Sequence, residues 1–556
     1  MAFLFNLFIL SMYAVILSQN IITFLVFWET MSILSYFLVI FERDEKSVKA
    51  GLVYAVMTHI GTAFIIVLFL LLYYYSGSMS FSDIKASSLN IPIEIKNIVF
   101  IFALIGFGTK AGIIPLHTWL PRAHPTAPSN ISSLMSGVMI KTGVYGFIRV
   151  CMDMLGGGPE WWGITVLIVG AVSAVLGVIY ALMENDLKKL LAYSSIENIG
   201  IILLGIGASM LFKAYGMNAL ASLALIAGLY HILNHTVFKG LLFLSAGSVL
   251  HAMHTKNMEK LGGLIKVMPY TSLFFLIGSV SICALPPFNG FVSEWLTYQS
   301  LLLGFNVPSI TVKIISPLGG AVLALTGALA AACFVKAFGI SFLGMPRSKH
   351  AEEAKEVSPS MILGMAMLAV LCLLLGIFPG TVSNIIAPAS SMINGSYGLP
   401  SYEGLILIKE TGSGLSPGFV LATMIIVSLA IMFFIYIVGG KKRARYGDSW
   451  DCGIPSLTPR MQYTATGFTK PIKLIFKGIY LPRREISVSY IVKPFFVKSI
   501  KYKSEITPFF EKYIYEPGVL FIHRLASKIR LLQSGSLHLY LGYILITLIV
   551  LLIFGV

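Results

Sequence analysis

Long apolar runs alternate with short polar segments along most of the 556-residue chain. Many of the runs exceed the roughly 18 apolar residues that indicate a helix crossing a membrane. We expect about thirteen spans, at 1–18, 20–41, 47–75, 95–120, 130–150, 161–182, 191–210, 219–249, 270–300, 317–342, 360–380, 416–438 and 535–555. The pattern therefore predicts an all-α, polytopic membrane protein.

Two of these spans, the fourth and the ninth, are broken by glycine or proline. The fourth has Gly112 and Pro115 shortly after Lys110, and the ninth contains the pair Pro286 and Pro287. A break at membrane depth is tolerated where the freed backbone groups are buried in protein or meet water. Both breaks are therefore predicted to lie along an ion path.

The helices also fall into two sets of five, 1–150 and 161–342, in which the broken helix is the fourth member. Each set has an odd number of spans, so the second set is predicted to be inverted relative to the first. Inverted repeats with discontinuous helices recur in transporters, where the ion site lies near the breaks. Two further membrane helices, a basic polar tail and a C-terminal membrane helix are predicted at 360–438, 439–534 and 535–556.

The net charge of +16 could indicate nucleic-acid binding. Most of it lies in loops and in 441–530, which favours a basic segment at a membrane surface, and no nucleic acid is expected as a partner. Within this tail, Gly518 to Gln533 has the pattern of an amphipathic helix along the lipid interface. The alternative is an ordinary surface loop with helical turns.

The lysine and arginine residues also predict the orientation in the cell membrane. With the N-terminus in the cytoplasm, twelve basic loop residues fall inside, and only Lys85, Lys96, Lys213, Lys313 and Lys409 fall outside. The positive-inside rule therefore predicts a cytoplasmic N-terminus and an external C-terminus. The first apolar run lacks a basic leader and a small-residue cleavage site, so we expect a retained helix rather than a signal peptide.

Glu29 and Lys110 are charged residues within apolar helices. A charge at the bilayer centre costs roughly 2.5–3.5 kcal/mol on insertion scales, so such residues usually face a bundle interior or a hydrated cavity. We expect Glu29 to be the partner of Lys110, which could then change its protonation state. The alternative is that Glu29 only caps a polar contact. Lys141 is a second lysine at membrane depth.

Three titratable residues, His231, His235 and Lys239, recur every four positions and share one helix face, about 6 Å apart per step. Such a row suits proton relay. A metal site is disfavoured because no third ligand accompanies the histidines and Lys239 would repel a cation. A satisfied pair of core histidines is the other alternative.

Further candidates are Glu294, which follows the second break and is predicted to correspond to Lys110, and Lys336, which could also snorkel to the interface. His59 is equally compatible with a functional and a structural role. The segment ENDLKKLLAYSS is predicted to be structural, with Asp186 capping a helix and its lysines facing the cytoplasm.

The five cysteines lack metal spacing, and no phosphate loop, dinucleotide fingerprint or CxxC motif is present. We therefore expect no cofactor, metal or redox centre in this chain.

Three segments resemble the antiporter-like subunits of respiratory complex I and their relatives: GTKAGIIPLHTWLPRAHPTAPSNISSLMSGVMIKTGVYGFIR, HILNHTVFKGLLFLSAGSV and ENDLKKLLAYSSIENIG. The tail motifs WDCGIPS and MQYTATGF are similar to the large membrane subunit of group-4 membrane-bound nickel–iron hydrogenases, including formate hydrogenlyase and hydrogenase 4. Ferredoxin-linked sulfur-reducing complexes of similar build also fit.

The resemblance implies a role for each candidate residue. Glu29 and Lys110 would be the pair in the first half-channel, and Lys141 would be the connecting lysine. His231, His235 and Lys239 would form the central hydrophilic axis, and Glu294 would be the terminal group. Relatives carry lysine or glutamate at the terminal position. The family fold has three more helices in front of these, so the resemblance implies that another chain supplies them or that the start lies elsewhere.

The predicted function is a proton- or sodium-translocating subunit of a redox-driven complex. Its expected partners are other membrane subunits, lipid, and a soluble arm that carries ferredoxin or hydrogenase chemistry. One alternative is a subunit of a multi-subunit sodium/proton antiporter without redox chemistry. Another is a non-conducting anchor for a soluble arm, which the many buried titratable positions argue against.

Overall fold

The computed structural model describes residues 1–395, 416–439, 453, 457–506, 509–530 and 535–554. Lys409, Cys452 and most of the WDCGIPS motif lie outside these residues. The chain divides into two compact units, Met1–Thr469 and Lys470–Val556.

The first unit is helical. Its helices are α1 (Ala2–Leu17), α2 (Ile21–Val39), α3 (Glu45–Ser76), α4 (Phe81–Ser87), α5 (Ile93–Ala111), α6 (Leu120–Thr126), α7 (Ser129–Leu134), α8 (Ile140–Phe147), α9 (Glu160–Met183), α10 (Leu187–Ala214), α11 (Asn218–Met253), α12 (Pro269–Ile282), α13 (Asn289–Leu302), α14 (Ile310–Phe342), α15 (Lys349–Glu353), α16 (Pro359–Ile377), α17 (Pro379–Asn394) and α18 (Pro417–Gly439).

In the described residues of both units, ten helices are long and apolar enough to cross a membrane. The prediction of an all-α, polytopic membrane protein is confirmed. Every predicted span coincides with a helix or a broken helix, whereas the shorter helices α4, α6, α15 and α17 were not predicted. The inverted relation between the two sets of five helices, and the predicted domain limits, stay predictions.

Both predicted breaks are present. The first begins where α5 ends, because Gly112 adopts a φ of 80° that favours glycine, and helix resumes only at α6. The second separates α12 from α13, and Ala284 has a positive φ of 51° within it. A feature that was not predicted follows the first break: π-helical segments, Met135–Met139 and Ile148–Met154, flank α8.

Helix α10 lies in the centre of the first unit, packed between α9 and α11, and its apolar stretch is entirely buried. Glycines allow the close approach of α9 and α10. A Cβ atom on Gly200 would lie 2.4 Å from the backbone nitrogen of Ala174, and one on Gly177 would lie 2.5 Å from that of Glu197. The polar residues of α10 are therefore held deep inside the bundle.

The second unit contains the end of α19 (Ala465–Ile475), α20 (Lys477–Tyr480), strands β1 (Pro482–Val492) and β2 (Phe496–Ile506), a π-helical turn (Glu511–Tyr515), α21 (Glu516–Arg530) and α22 (Leu537–Phe554). The strands form an antiparallel hairpin that pairs Pro482 with Ile506, and this hairpin was not predicted. Helix α21 covers most of the predicted amphipathic segment, whose last residues, 531–533, lie outside the described part.

Candidate functional site

Lys110 is buried in the last turn of α5, next to the first break. Its Nζ donates hydrogen bonds to Ser32 Oγ at 2.9 Å and to the Tyr54 hydroxyl at 2.8 Å. The Tyr54 hydroxyl also lies 2.6 Å from Ser35 Oγ. The amine is thus held by neutral hydroxyl groups, and the Trp28 ring, 5.9 Å away, covers one side of it.

The predicted pairing of Glu29 with Lys110 stays a prediction, because the two side chains share no hydrogen bond or ion pair among the described residues. Glu29 Oε2 lies 3.3 Å from His59 Nε2, and both side chains are partly exposed. The reason is helical geometry: Trp28 and Ser32 share the face of α2 that meets Lys110, and Glu29 is turned about 100° away from Trp28. Glu29 nevertheless remains within electrostatic range of Lys110.

Lys141 is buried at the start of α8, where its Nζ donates to the main-chain oxygen of Ser136. Ser136 belongs to the π-helical segment before α8. π-Helical turns inside α-helices frequently occur at functional sites. The unpredicted π-segment therefore coincides with the partner of Lys141.

Lys141 and Lys239, here called the central lysines, are linked through Ser136, whose main-chain oxygen accepts from Lys141 and whose side chain begins a row of hydrogen bonds to Lys239. Ser136 Oγ lies 2.7 Å from Ser195 Oγ, which donates to the carbonyl oxygen of Leu191 at 2.9 Å. Lys239 Nζ donates to the same carbonyl at 3.0 Å, and also to Ser194 Oγ. Hydroxyl and carbonyl groups of α10 thus connect the two amines in the protein interior.

His231 lies two turns before Lys239 on α11 and has hydrogen bonds of its own. Its Nε2–H can donate to Asn198 Oδ1 at 3.1 Å while its Nδ1 accepts from Ser293 Oγ at 2.9 Å. A neutral ring with its hydrogen on Nε2 satisfies both bonds. The ring of His235 lies parallel to that of His231, with 6.5 Å between centroids, and its two nitrogens have no partner among the described residues.

Glu294 is buried on α13, next in sequence to Ser293, which contacts His231. A Cβ atom on Gly327 of α14 would lie 3.9 Å from Glu294 Oε2, so the carboxylate faces a glycine. Lys110 precedes the first break, whereas Glu294 follows the second one by several residues. The predicted correspondence of the two residues therefore does not extend to their positions relative to the breaks.

Lys336 does not snorkel to the interface, which was one of its two predicted roles. The side chain is fully buried, and its Nζ donates to the carbonyl oxygens of Leu182 and Glu184 at 2.6 and 2.7 Å. These carbonyls lie at the C-terminal end of α9, which has no following turn to satisfy them. The contacts of Lys336 favour a role in ending α9.

The segment ENDLKKLLAYSS is only partly as predicted. Asp186 caps α10 by accepting from the backbone nitrogens of Lys188 and Lys189, as expected. Lys188, however, is buried rather than facing the cytoplasm, because its Nζ donates to the carbonyl oxygen of Ala127 in the turn before α7. Lys189 is the exposed member, and it pairs with Glu184 at 2.8 Å.

Buried titratable residues that were not predicted include Glu197 and His124. Glu197 lies in the middle of α10, within electrostatic range of Lys239 and Glu294. A carboxylate within an apolar helix was the signal used for Glu29, and the same signal was present at Glu197. His124 is fully buried in α6, but its neighbourhood in the sequence, RAHPTAP, resembles an ordinary polar turn.

Comparisons with known proteins agree with this architecture. The model of the family described as NADH:quinone oxidoreductase/Mrp antiporter, TM matches residues 18–316, a range that holds every predicted site residue except Lys336. Hydrogenase-4 component B of Escherichia coli (strain K12) is 40% identical over 560 residues, which cover all of this chain and 83% of that protein. Formate hydrogenlyase subunit 3 of the same organism is 34% identical, over 86% of this chain and 75% of that protein.

Among solved structures, the chain is similar to one chain of the membrane-bound sulfane sulfur reductase, an archaeal respiratory membrane complex. The match covers 98% of this chain and 82% of the reductase chain. The TM-score is 0.77 at 24% sequence identity, so this likeness supports the fold. The family model and the two bacterial relatives also identify the family of the chain. The chain belongs to the NADH:quinone oxidoreductase/Mrp antiporter family of transmembrane proteins.

Proposed function

We propose that this chain is the ion-translocating subunit of a redox-driven membrane complex, and that the ion is a proton or sodium. The observation that carries the proposal is the buried row of hydrogen bonds that links the central lysines through Ser136, together with the hydrogen bond between His231 and Ser293, next to Glu294. Ionisable groups at membrane depth are expensive and typically mark ion paths and proton relays. A row of them in the interior of a bundle favours conduction over anchoring.

The two bacterial relatives are named as a component of hydrogenase 4 and a subunit of formate hydrogenlyase. By analogy, redox chemistry would take place in a soluble arm and drive this chain through neighbouring membrane subunits. The excess of basic residues in alternate loops supports a cytoplasmic N-terminus and an external C-terminus in the cell membrane.

A sodium/proton antiporter subunit is the second candidate, because the matching family also includes Mrp antiporters. The two functions differ in their energy source. The native complex, purified through a tag on this chain and reconstituted in sealed vesicles, should contain redox subunits and move ions when its electron donor is added. Ion exchange driven by a gradient alone, in a complex without redox subunits, would favour the antiporter.

A further inference from the structure

His124 is a buried titratable residue outside the row described above. Its ring is fully buried between Trp119 and Phe243, with centroid distances of 6.3 and 5.4 Å. Neither ring nitrogen has a hydrogen-bond partner among the residues that the structure describes. Buried polar atoms nearly always have partners, and an exception often marks a functional group or a place where water enters.

Three lysines lie within electrostatic range of His124: Lys188 and the two central lysines. A neutral imidazole carries one N–H and one free lone pair, so it can accept a proton on one nitrogen and release a proton from the other. A ring whose nitrogens have no partner in the described part of the chain, within electrostatic range of three amines, therefore has the chemistry of a relay between them.

Lys188 connects His124 to the protein surface. Its amine donates to the carbonyl oxygen of Ala127, three residues after His124. Asp186 and Lys256, here called the surface pair, lie 3.3 Å apart, are each about one-third exposed, and interact electrostatically with Lys188. Lys256 also donates to the carbonyl oxygen of Pro125 at 2.6 Å. Lys256 of the surface pair thus holds the turn that follows His124.

A purely structural role explains these contacts less well. A neutral amide could satisfy the Ala127 carbonyl, whereas a buried amine adds a large desolvation cost when it is charged. Phenylalanine could fill the space between the two aromatic rings, because His124 uses neither nitrogen in a hydrogen bond to the described part of the protein. The choice of two titratable side chains points to proton transfer.

We propose that His124 is a proton relay, fed through Lys188, which supplies the central lysines. This inference rests on the proposed function. The Lys188 ammonium gives a proton to the free ring nitrogen, directly or through water, and the opposite N–H of the ring releases its proton to a neutral central lysine. The Lys188 amine then regains a proton from solvent water at the surface pair, and a rotation of the ring restores its starting tautomer. Lys110 acts as a switching charge, while this branch provides protons.

The test uses the native complex in sealed vesicles and compares two substitutions with matched controls. His124→Phe keeps the aromatic packing, and Lys188→Arg keeps a cation that donates to Ala127 but does not release its proton. Redox-driven proton translocation should fall about tenfold or more in both variants, since positioned proton-transfer groups contribute about 10²–10⁴-fold to rates. The controls Lys189→Arg and His251→Phe alter exposed neighbours and should pump like wild type.

Wild-type pumping by His124→Phe and Lys188→Arg would overturn the relay, whatever the other variants do. If Lys239→Met still abolishes pumping in that case, the proposed function stands and only the supply branch is wrong. His124→Asn provides a second measurement if Lys188→Arg does not assemble, because it keeps a polar side chain that does not relay protons. Normal pumping by His124→Asn would show that polarity alone is needed, and would also overturn the relay.

Discussion

The buried lysines share one feature at the scale of single residues: their amines are held by hydroxyl and carbonyl groups. Lys110 contacts two hydroxyls, and each central lysine contacts a backbone carbonyl; none of the three has a carboxylate in direct contact within the described residues. Removing one charge of a buried ion pair leaves the other charge uncompensated, at a cost of several kcal/mol. A lysine held by neutral groups avoids this cost when it loses its proton.

Lys110→Ala should abolish ion pumping while the complex still assembles, because the substitution removes a switchable charge and little packing. Pumping and subunit content of purified vesicles measure the two effects. Lys313→Ala, an exposed lysine on α14, is the control and should pump normally. Full pumping by an assembled Lys110→Ala complex would remove Lys110 from the ion path.

Substitutions of Glu294 should distinguish the effect on pumping of its ability to titrate from the effect of its size. Glu294→Gln keeps the size of the side chain but does not titrate, so pumping should fall steeply. Glu294→Lys restores a titratable group whose charged form has the opposite sign, so partial pumping with a shifted pH optimum is expected. Pumping rates across a broad pH range measure both. Identical profiles for wild type and Glu294→Gln would make Glu294 a structural polar residue.

The burial of Lys110 and the shared face of His231, His235 and Lys239 could be predicted from the sequence, because apolar neighbours and four-residue spacing determine them. The contact of Glu29 with His59 could not, because it depends on how α2 is rotated against α3. The burial of Lys188 depends on a tertiary contact with Ala127 in another segment. Residue type reveals that a charge is present, whereas its contacts come from packing.

At the scale of elements, breaks were predictable and π-segments were not. Glycine and proline have strong local effects on the backbone, so they mark both interruptions. The π-helical turns beside α8 carry no comparable residue signal. Lys336 likewise stabilises an element, because its hydrogen bonds satisfy carbonyl oxygens at the end of α9 rather than groups of its own helix.

Lys336→Met should lower the thermal stability of the complex, because the carbonyls of Leu182 and Glu184 would lose their donor. An unsatisfied buried polar group costs about 1–3 kcal/mol. Val335→Met, at an exposed neighbouring position of α14, is the matched control for the midpoint of thermal unfolding. An unchanged midpoint together with lost pumping would assign Lys336 to the ion path instead.

At the scale of the whole molecule, the sequence predicted the membrane spans because apolar length is a strong signal. The hairpin of β1 and β2 was not predicted, because helical amphipathicity is the stronger signal in the tail. Helix α21 exposes apolar residues at helical spacing, including Phe521, Leu525 and Ile529. The amphipathic pattern predicts that this face binds lipid or another membrane subunit.

We expect the segment 505–556 to bind a neighbouring membrane subunit, so its deletion should lower the yield of the assembled complex. A milder test is Leu525→Glu, which places a charge on the apolar face of α21, compared with Ser527→Glu on the same helix. Co-purification of the partner subunits measures the effect. Unchanged yield and activity after the deletion would show that the segment makes no essential contact.

The most direct test of the account is the number of protons moved per electron transferred by the reconstituted complex, compared between wild type and Lys239→Met. Lys239 ends the hydrogen-bonded row from Lys141, and methionine keeps an unbranched apolar chain of similar length without a titratable group. We predict that electron transfer can still be measured in the variant while the ratio of protons to electrons falls. An unchanged ratio in a fully assembled Lys239→Met complex would contradict ion translocation through this chain.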